Sequence, residues 1–214
     1  MKKITVFKLL MALLGIFFIG AGVAFNASTS LGNDPVGIIY DGVRNAAGLT
    51  ASQLGFVSNF VNYGLIILLF FIGRKYVNIG TLIYILPYGF FVSTGTRIYD
   101  LIFSSHGLVS RFMGGMIGCF LLYTGVAIYI SMDIGLDPFT GIVMVIRDKM
   151  KSDYKKTKIC FDIVMVALGV ILGGKLGIIT VFTAMTAGPS IQFISNKITS
   201  LMESHEHKGK NSDR

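Results

Sequence analysis

Six apolar stretches, at roughly 7–27, 54–73, 79–101, 112–131, 158–174 and 176–196, dominate this chain. Each can cross about 30 Å of hydrocarbon as a helix. Composition points the same way: 53% of residues are hydrophobic and 14% charged, whereas a soluble domain carries about 25% charged residues. The mean hydropathy is +0.70. The expected class is an all-α integral membrane protein with six transmembrane helices. The N-terminal run Leu9–Phe25 is longer than a signal-peptide core, and no clear A-x-A site follows, so it reads as a retained first helix.

Charge orients these spans. With a cytoplasmic N-terminus, six crossings place 15 of the 19 Lys and Arg residues on the cytoplasmic side, and only Arg44, Arg97, Arg111 and Lys175 fall outside. That is the positive-inside bias. The expected location is the bacterial cytoplasmic membrane with both termini cytoplasmic, and the lipid bilayer is the first partner. The basic segment 147–158 reads as a contact for anionic headgroups, so no nucleic-acid partner is expected.

Two short segments, 35–47 and 138–150, interrupt the pattern. Each offers about 20 Å of helix, too little to cross. Both follow nearly the same turn, "SLGNDP" at 30–35 and "DIGLDP" at 133–138. When 22–35 is laid over 125–138, seven of fourteen positions match, among them Gly22/Gly125, Gly32/Gly135, Asp34/Asp137 and Pro35/Pro138. Gly15 matches Gly118 and Arg44 matches Arg147 at the same offset of 103; further on Gly73 matches Gly173, Thr81 Thr180 and Gly89 Gly188. The chain therefore divides into a first repeat (1–104, spans 1–3 with short helix 35–47) and a second (105–198, spans 4–6 with short helix 138–150). Residues 199–214 form a polar tail, expected to be disordered and cytoplasmic. Three crossings per half invert the second half relative to the first, the inverted-repeat plan of many transporters.

The turn itself has a local logic. Asp is a strong N-cap, Pro suits the first helical position, and Gly permits the tight bend before them. G-x-D-P is thus a helix start, and Arg44 and Arg147 mark the helix ends, where a cation complements the dipole as an anchor or gate. Asp34 and Asp137 then have two readings. They cap helices that merely close the bundle, or they sit where two helix N-termini face a central cavity and hold an ion or polar solute. Asp162 likewise either pairs with Lys158 one turn away or acts as an intramembrane acid. Its repeat counterpart lies near Asn62, on one helix face with Asn59. Thr183, Thr186 and Ser190 form a polar stripe on the sixth span beside Pro189, and Thr81, Tyr84, Pro87 and Tyr88 occupy the matching place on the third. Their hydroxyls either bond their own helix or line a path.

Cys119 and Cys160 lie in apolar runs and read as buried thiols. His106, His205 and His207 give no metal-site spacing, so neither metal nor cofactor is expected. No HExxH, GxSxG or Walker motif is present. An enzyme is not expected, and no catalytic residue is assigned.

The twin turns, "NIGTL" at 78–82, the looser "LGIIT" at 176–180, Gly188–Pro189 and Asp162 together resemble the YczE/YyaS/YitT group of bacterial membrane proteins, closest to its YczE-like branch. The resemblance covers most of residues 7–196. The chain departs from that pattern in placing Asp before Pro and in lacking Trp or Arg just after it. The resemblance implies a multi-span fold and a membrane location.

The leading expectation for function is a small secondary transporter or channel for a small solute. Candidate binding residues are Asp34, Pro35, Asp137, Pro138, Asp162, Asn62, Thr183 and Thr186. The alternatives are a non-transporting accessory or scaffold factor docking through the basic 147–158 loop, or the substrate-capture subunit of a multi-subunit importer. Size favours a homodimer, with Gly15, Gly22, Gly118 and Gly125 as its small-residue faces.

Overall fold

The computed structural model describes residues 6–103 and 107–212, with side chains through Met202. Eight α-helices account for nearly all of it: α1 (Val6–Thr29), α2 (Pro35–Ala46), α3 (Leu54–Ile72), α4 (Ile79–Ile102), α5 (Leu108–Met132), α6 (Pro138–Met150), α7 (Tyr154–Ile171) and α8 (Ile178–Ser212). Single 3-10 turns at Ala51–Gln53 and Arg74–Tyr76 lead into α3 and out of it. Helix α8 continues as backbone through the segment expected to be a tail.

Among the described residues five helices are long and apolar enough to cross a membrane: α1, α3 with its leading 3-10 turn, α4, α5 and α8 through Met202. The sixth expected span, α7, is not among them. It has 18 residues and opens on Tyr154-Lys155-Lys156-Thr157-Lys158, with Asp162 one turn further on. Large apolar side chains such as Phe60, Phe71, Leu86, Phe90 and Met185 point outward, as expected where the surrounding solvent is hydrocarbon rather than water.

Helices α1 and α5 form the centre and run antiparallel. A Cβ on Gly15 would meet Gly125 O at 2.9 Å, and a Cβ on Gly22 would meet Gly118 O at 2.7 Å. The backbones touch because glycine stands on both sides of the seam. The four glycines expected to serve a homodimer are thus consumed inside one chain: all are buried between α1 and α5. Sequence spacing marks a small-residue face but not which helix covers it.

The other helices pack around this pair. Helix α1 lies against α4 and α5 against α8; α2 lies against α7 and α3 against α6; α2 touches α3 and α6 touches α7. Helix α3 also packs closely on α4 through Gly55 and Gly89. Helices α7 and α8 have no comparable contact.

Both short helices begin at the expected residue. Asp34 accepts hydrogen bonds from Val36 N at 3.2 Å and Gly37 N at 3.3 Å. Asp137 accepts one from Thr140 N at 3.0 Å. Pro35 and Pro138 open their helices, where a missing N–H costs nothing. The two glycines serve different ends. Gly32 has φ +103°, a left-handed conformation that disfavours side chains. Gly135 is needed for space, since a Cβ there would lie 2.2 Å from Asn78 Oδ1. The left-handed residue of the second turn is Asp133.

Candidate functional site

After Thr29 the chain doubles back along the bundle. Leu31 O accepts from Ile179 N, Asn33 N donates to Thr180 Oγ1, and Asn33 Nδ2 donates to Val23 O. Val23 lies six residues before Thr29, so the turn has descended roughly 9 Å along α1. Helix α2 then climbs back. Gly42 meets Gly169, Asn45 Nδ2 donates to Gly173 O, and Lys175 Nζ donates to Ser30 Oγ. Asp34 is therefore deep in the bundle and Arg44 is near its end.

The second turn repeats the move. Ile134 and Gly135 pass against Gly80, and α6 runs outward past Leu69 at Gly141 and past Gly73 at Val145. Each half-length helix thus has its N-terminus inside and its C-terminus outside.

Between the two N-termini lies a buried aromatic and polar cluster. Tyr84 stacks on Tyr88 with centroids 5.1 Å apart and meets Tyr129 edge-on at 5.2 Å. Tyr40 packs on Tyr88 and on Phe139. Tyr40 OH donates to Asn62 Oδ1 at 3.1 Å. Asn62 and Tyr88 are fully buried; the Tyr88 hydroxyl interacts with that of Tyr40, whereas Asn62 Nδ2 has no hydrogen-bond partner among the described residues. Buried polar groups are normally satisfied, and an orphan costs about 1–3 kcal/mol. Asp137 lies within electrostatic reach of all four tyrosines, and Asp34 of Tyr84 and Tyr88.

The expected residues divide accordingly. Asn62 belongs to the cluster, and Asp34, Pro35, Asp137 and Pro138 flank it. Asp162 pairs with Lys158 along α7, and this pair lies within electrostatic reach of Asp34. Thr183 Oγ1 bonds Thr180 O on its own helix. Thr186 Oγ1 bonds Phe182 O and shares a hydrogen bond of 2.8 Å with Tyr123 OH. Tyr40 and Tyr129 were not singled out from the sequence. Tyr40 sits in the apolar run "VGIIYDGV", where its polar tip gives no periodic signal. Cys119 is buried with Sγ against Asn26 Oδ1, while Cys160 is exposed on α7. His106, His205 and His207 lie outside the described side chains. Among the described residues no group of three or more His, Cys, Asp or Glu could hold a metal.

Arg44 and Arg147 are both held by carboxylates. Arg44 makes two bonds to Asp41 Oδ1 and one to Leu49 O, and Asp41 Oδ2 accepts from Lys175 N. Arg147 bonds Asp148 Oδ1, while Lys75 and Tyr76 bond Asp148 Oδ2. Lys75, Tyr76 and Arg147 hold the Asp148 carboxyl well below the usual carboxylate range. A depressed carboxylate stabilises the fold at pH above its unfolded value and loses that effect only as pH falls through the folded value. The latch is therefore expected to be insensitive to pH between about 5 and 8. Asp148→Asn should lower the melting temperature of the purified protein at low salt, and about 1 M NaCl should remove most of the difference. A thermal series in both salts checks this.

Two grooves mark the outer surface. One of about 470 Å³ lies between α5 and α8 at Phe120, Tyr123 and Pro189; one of about 250 Å³ lies beside the Lys75–Asp148 pair. Neither is lined by residues of the central cluster.

The described residues define a class of all-helical architecture: five helices long and apolar enough to cross a membrane, with two capped half-helices folded into the centre. Within it, the chain belongs to DUF6198, a family of unknown function, whose model matches residues 6–196. The chain is also 26% identical over 200 residues to an uncharacterised protein of Haemophilus influenzae, covering 94% of this chain and 86% of that protein. No solved structure matches.

Proposed function

We propose that this protein is a small secondary transporter or channel for a small polar solute in the bacterial cytoplasmic membrane. The observation that carries this reading is the convergence of two capped half-helices on a buried cluster with an unsatisfied amide N–H at Asn62. An N–H donor kept without a partner at the centre of an apolar bundle is costly for stability and suited to a polar ligand. In this reading α7 is the sixth crossing, its lysines at the cytoplasmic interface and their stems along the apolar surface. The halves are then inverted repeats. The packing supports this, because α1–α4 corresponds to α5–α8, α2–α7 to α6–α3, and α2–α3 to α6–α7. The antiparallel seam of α1 on α5 is what two inverted copies of one helix would make. Kinship with the YczE-like branch is part of the same reading, and rests on the twin turns and Gly188–Pro189.

A pathway must be reachable from both sides. With Cys119 and Cys160 replaced, Asn62→Cys is expected to react with membrane-impermeant thiol reagents in right-side-out and in inverted vesicles. Reaction from one face only, or from neither, would overturn transport in favour of an accessory factor docking through segment 147–158.

A further inference from the structure

We infer that the structure is one of two exchanging forms, in which contact between α3 and α4 closes the pathway on one side while a gap between α7 and α8 opens it on the other. This rests on the inverted-repeat reading above. Among the extensive helix–helix contacts, that of α3 on α4 is the one whose counterpart, α7 on α8, is missing. Helix α3 packs on α4 backbone to backbone: a Cβ on Gly55 would lie 2.2 Å from Gly89 O, and Gly89 N donates to Asn59 Oδ1 at 2.8 Å. The counterpart of Gly89 is Gly188, and a Cβ there meets nothing within 4 Å. Helices α7 and α8 stay apart along their lengths, and among the described residues of α7 only Thr157, Phe161 and Gly169 are buried.

One sequence supports both arrangements because the two halves share a plan. The α2 contact fixes the equivalence: Ile38 lies against Gly169 as Gly141 lies against Leu69. Leu69 thus corresponds to Gly169, and Asn62 to Asp162. In the closed half Asn62 faces Tyr40, and Tyr84 and Tyr88 fill the space beside it. In the open half the matching positions carry Asp162, Thr183 and Ala187, which are smaller or charged. The gap therefore leads towards Asp34, with the Lys158–Asp162 pair at its side. In the other form α7 closes on α8 at Gly188 while α3 and α4 separate at Gly89. Lys155 stands where Gly55 does in the first half, so that closure is looser, with the lysine stem lying along the surface. The alternation gives a central solute access from each side in turn.

Pulsed electron–electron resonance distances between spin labels test this in the full-length protein in liposomes. In a Cys119→Ala background, one pair joins Phe60→Cys on α3 to Leu86→Cys on α4, with Cys160→Ser. The matching pair joins native Cys160 on α7 to Met185→Cys on α8. All four positions are exposed, so the labels need not disturb the core. Each pair is expected to show two distances, with the shorter α7–α8 distance matching the shorter α3–α4 distance. A single distance in either pair, or short-distance fractions that do not complement one another between the two pairs, would overturn the exchange. Two-sided alkylation of Asn62→Cys combined with single distances would leave a static channel, so failure of the exchange is distinguishable from failure of the transport reading.

Discussion

Gly22→Ala should destabilise the protein by about 3 kcal/mol, the upper part of the range for an overpacked core. The added methyl would lie 2.6 Å from Leu122 N and 2.7 Å from Gly118 O, both backbone atoms of α5. No rotamer change relieves such a contact, so the helices must separate along their length. Gly64→Ala on α3 is the control. Nothing lies within 4 Å of a Cβ there, and alanine gains up to about 1 kcal/mol of helix propensity over glycine. Denaturation in mild detergent would rank the two variants. Equal tolerance of both would contradict the antiparallel α1–α5 seam.

The second large effect concerns the central amide. Tyr40→Phe removes the donor that satisfies Asn62 Oδ1 and leaves an amide whose Nδ2 already lacks a partner. The expected cost is about 1–3 kcal/mol, from a buried polar group stripped of its last bond. The double variant Tyr40→Phe with Asn62→Leu replaces both partners by apolar groups. It is expected to recover wild-type stability or exceed it, since such paired replacements are near neutral or favourable. A double variant more stable than the parent would identify the pair as one retained at a stability cost, as functional groups commonly are. A double variant less stable than Tyr40→Phe alone would show that packing at Asn62, not polarity, matters there. Denaturation midpoints of the three proteins decide between these outcomes.

How much of this could be read from the residues follows from the range of the interactions. The starts of α2 and α6 fall at Pro35 and Pro138, as expected, because capping is settled within one helical turn. The apolar helices were legible because hydrocarbon imposes length and composition residue by residue. Partner choice was not. Gly15 and Gly22 advertise a close contact, and only the fold assigns it to Gly125 and Gly118 rather than to another molecule. For Asp162 the spacing offers Lys158 one turn away as a partner, and the two are paired. The roles of Tyr40, Asn33 and Tyr129 depend on partners 22, 10 and 49 residues distant. No spacing rule reaches that far. Helix α7 fell short of a clear span because three lysines and an aspartate share its first half.

The chain contains nine tyrosines and no tryptophan. In most proteins tyrosine emission is lost by energy transfer to indole, and the ultraviolet signal reports on whichever tryptophan happens to be present. Here that acceptor is missing, and Tyr40, Tyr84, Tyr88 and Tyr129 crowd together at the meeting point of the half-helices. Four of the nine emitters of the unlabelled protein therefore report from the centre of the bundle. Any event that parts these rings becomes visible as a change in light emission without a single substitution.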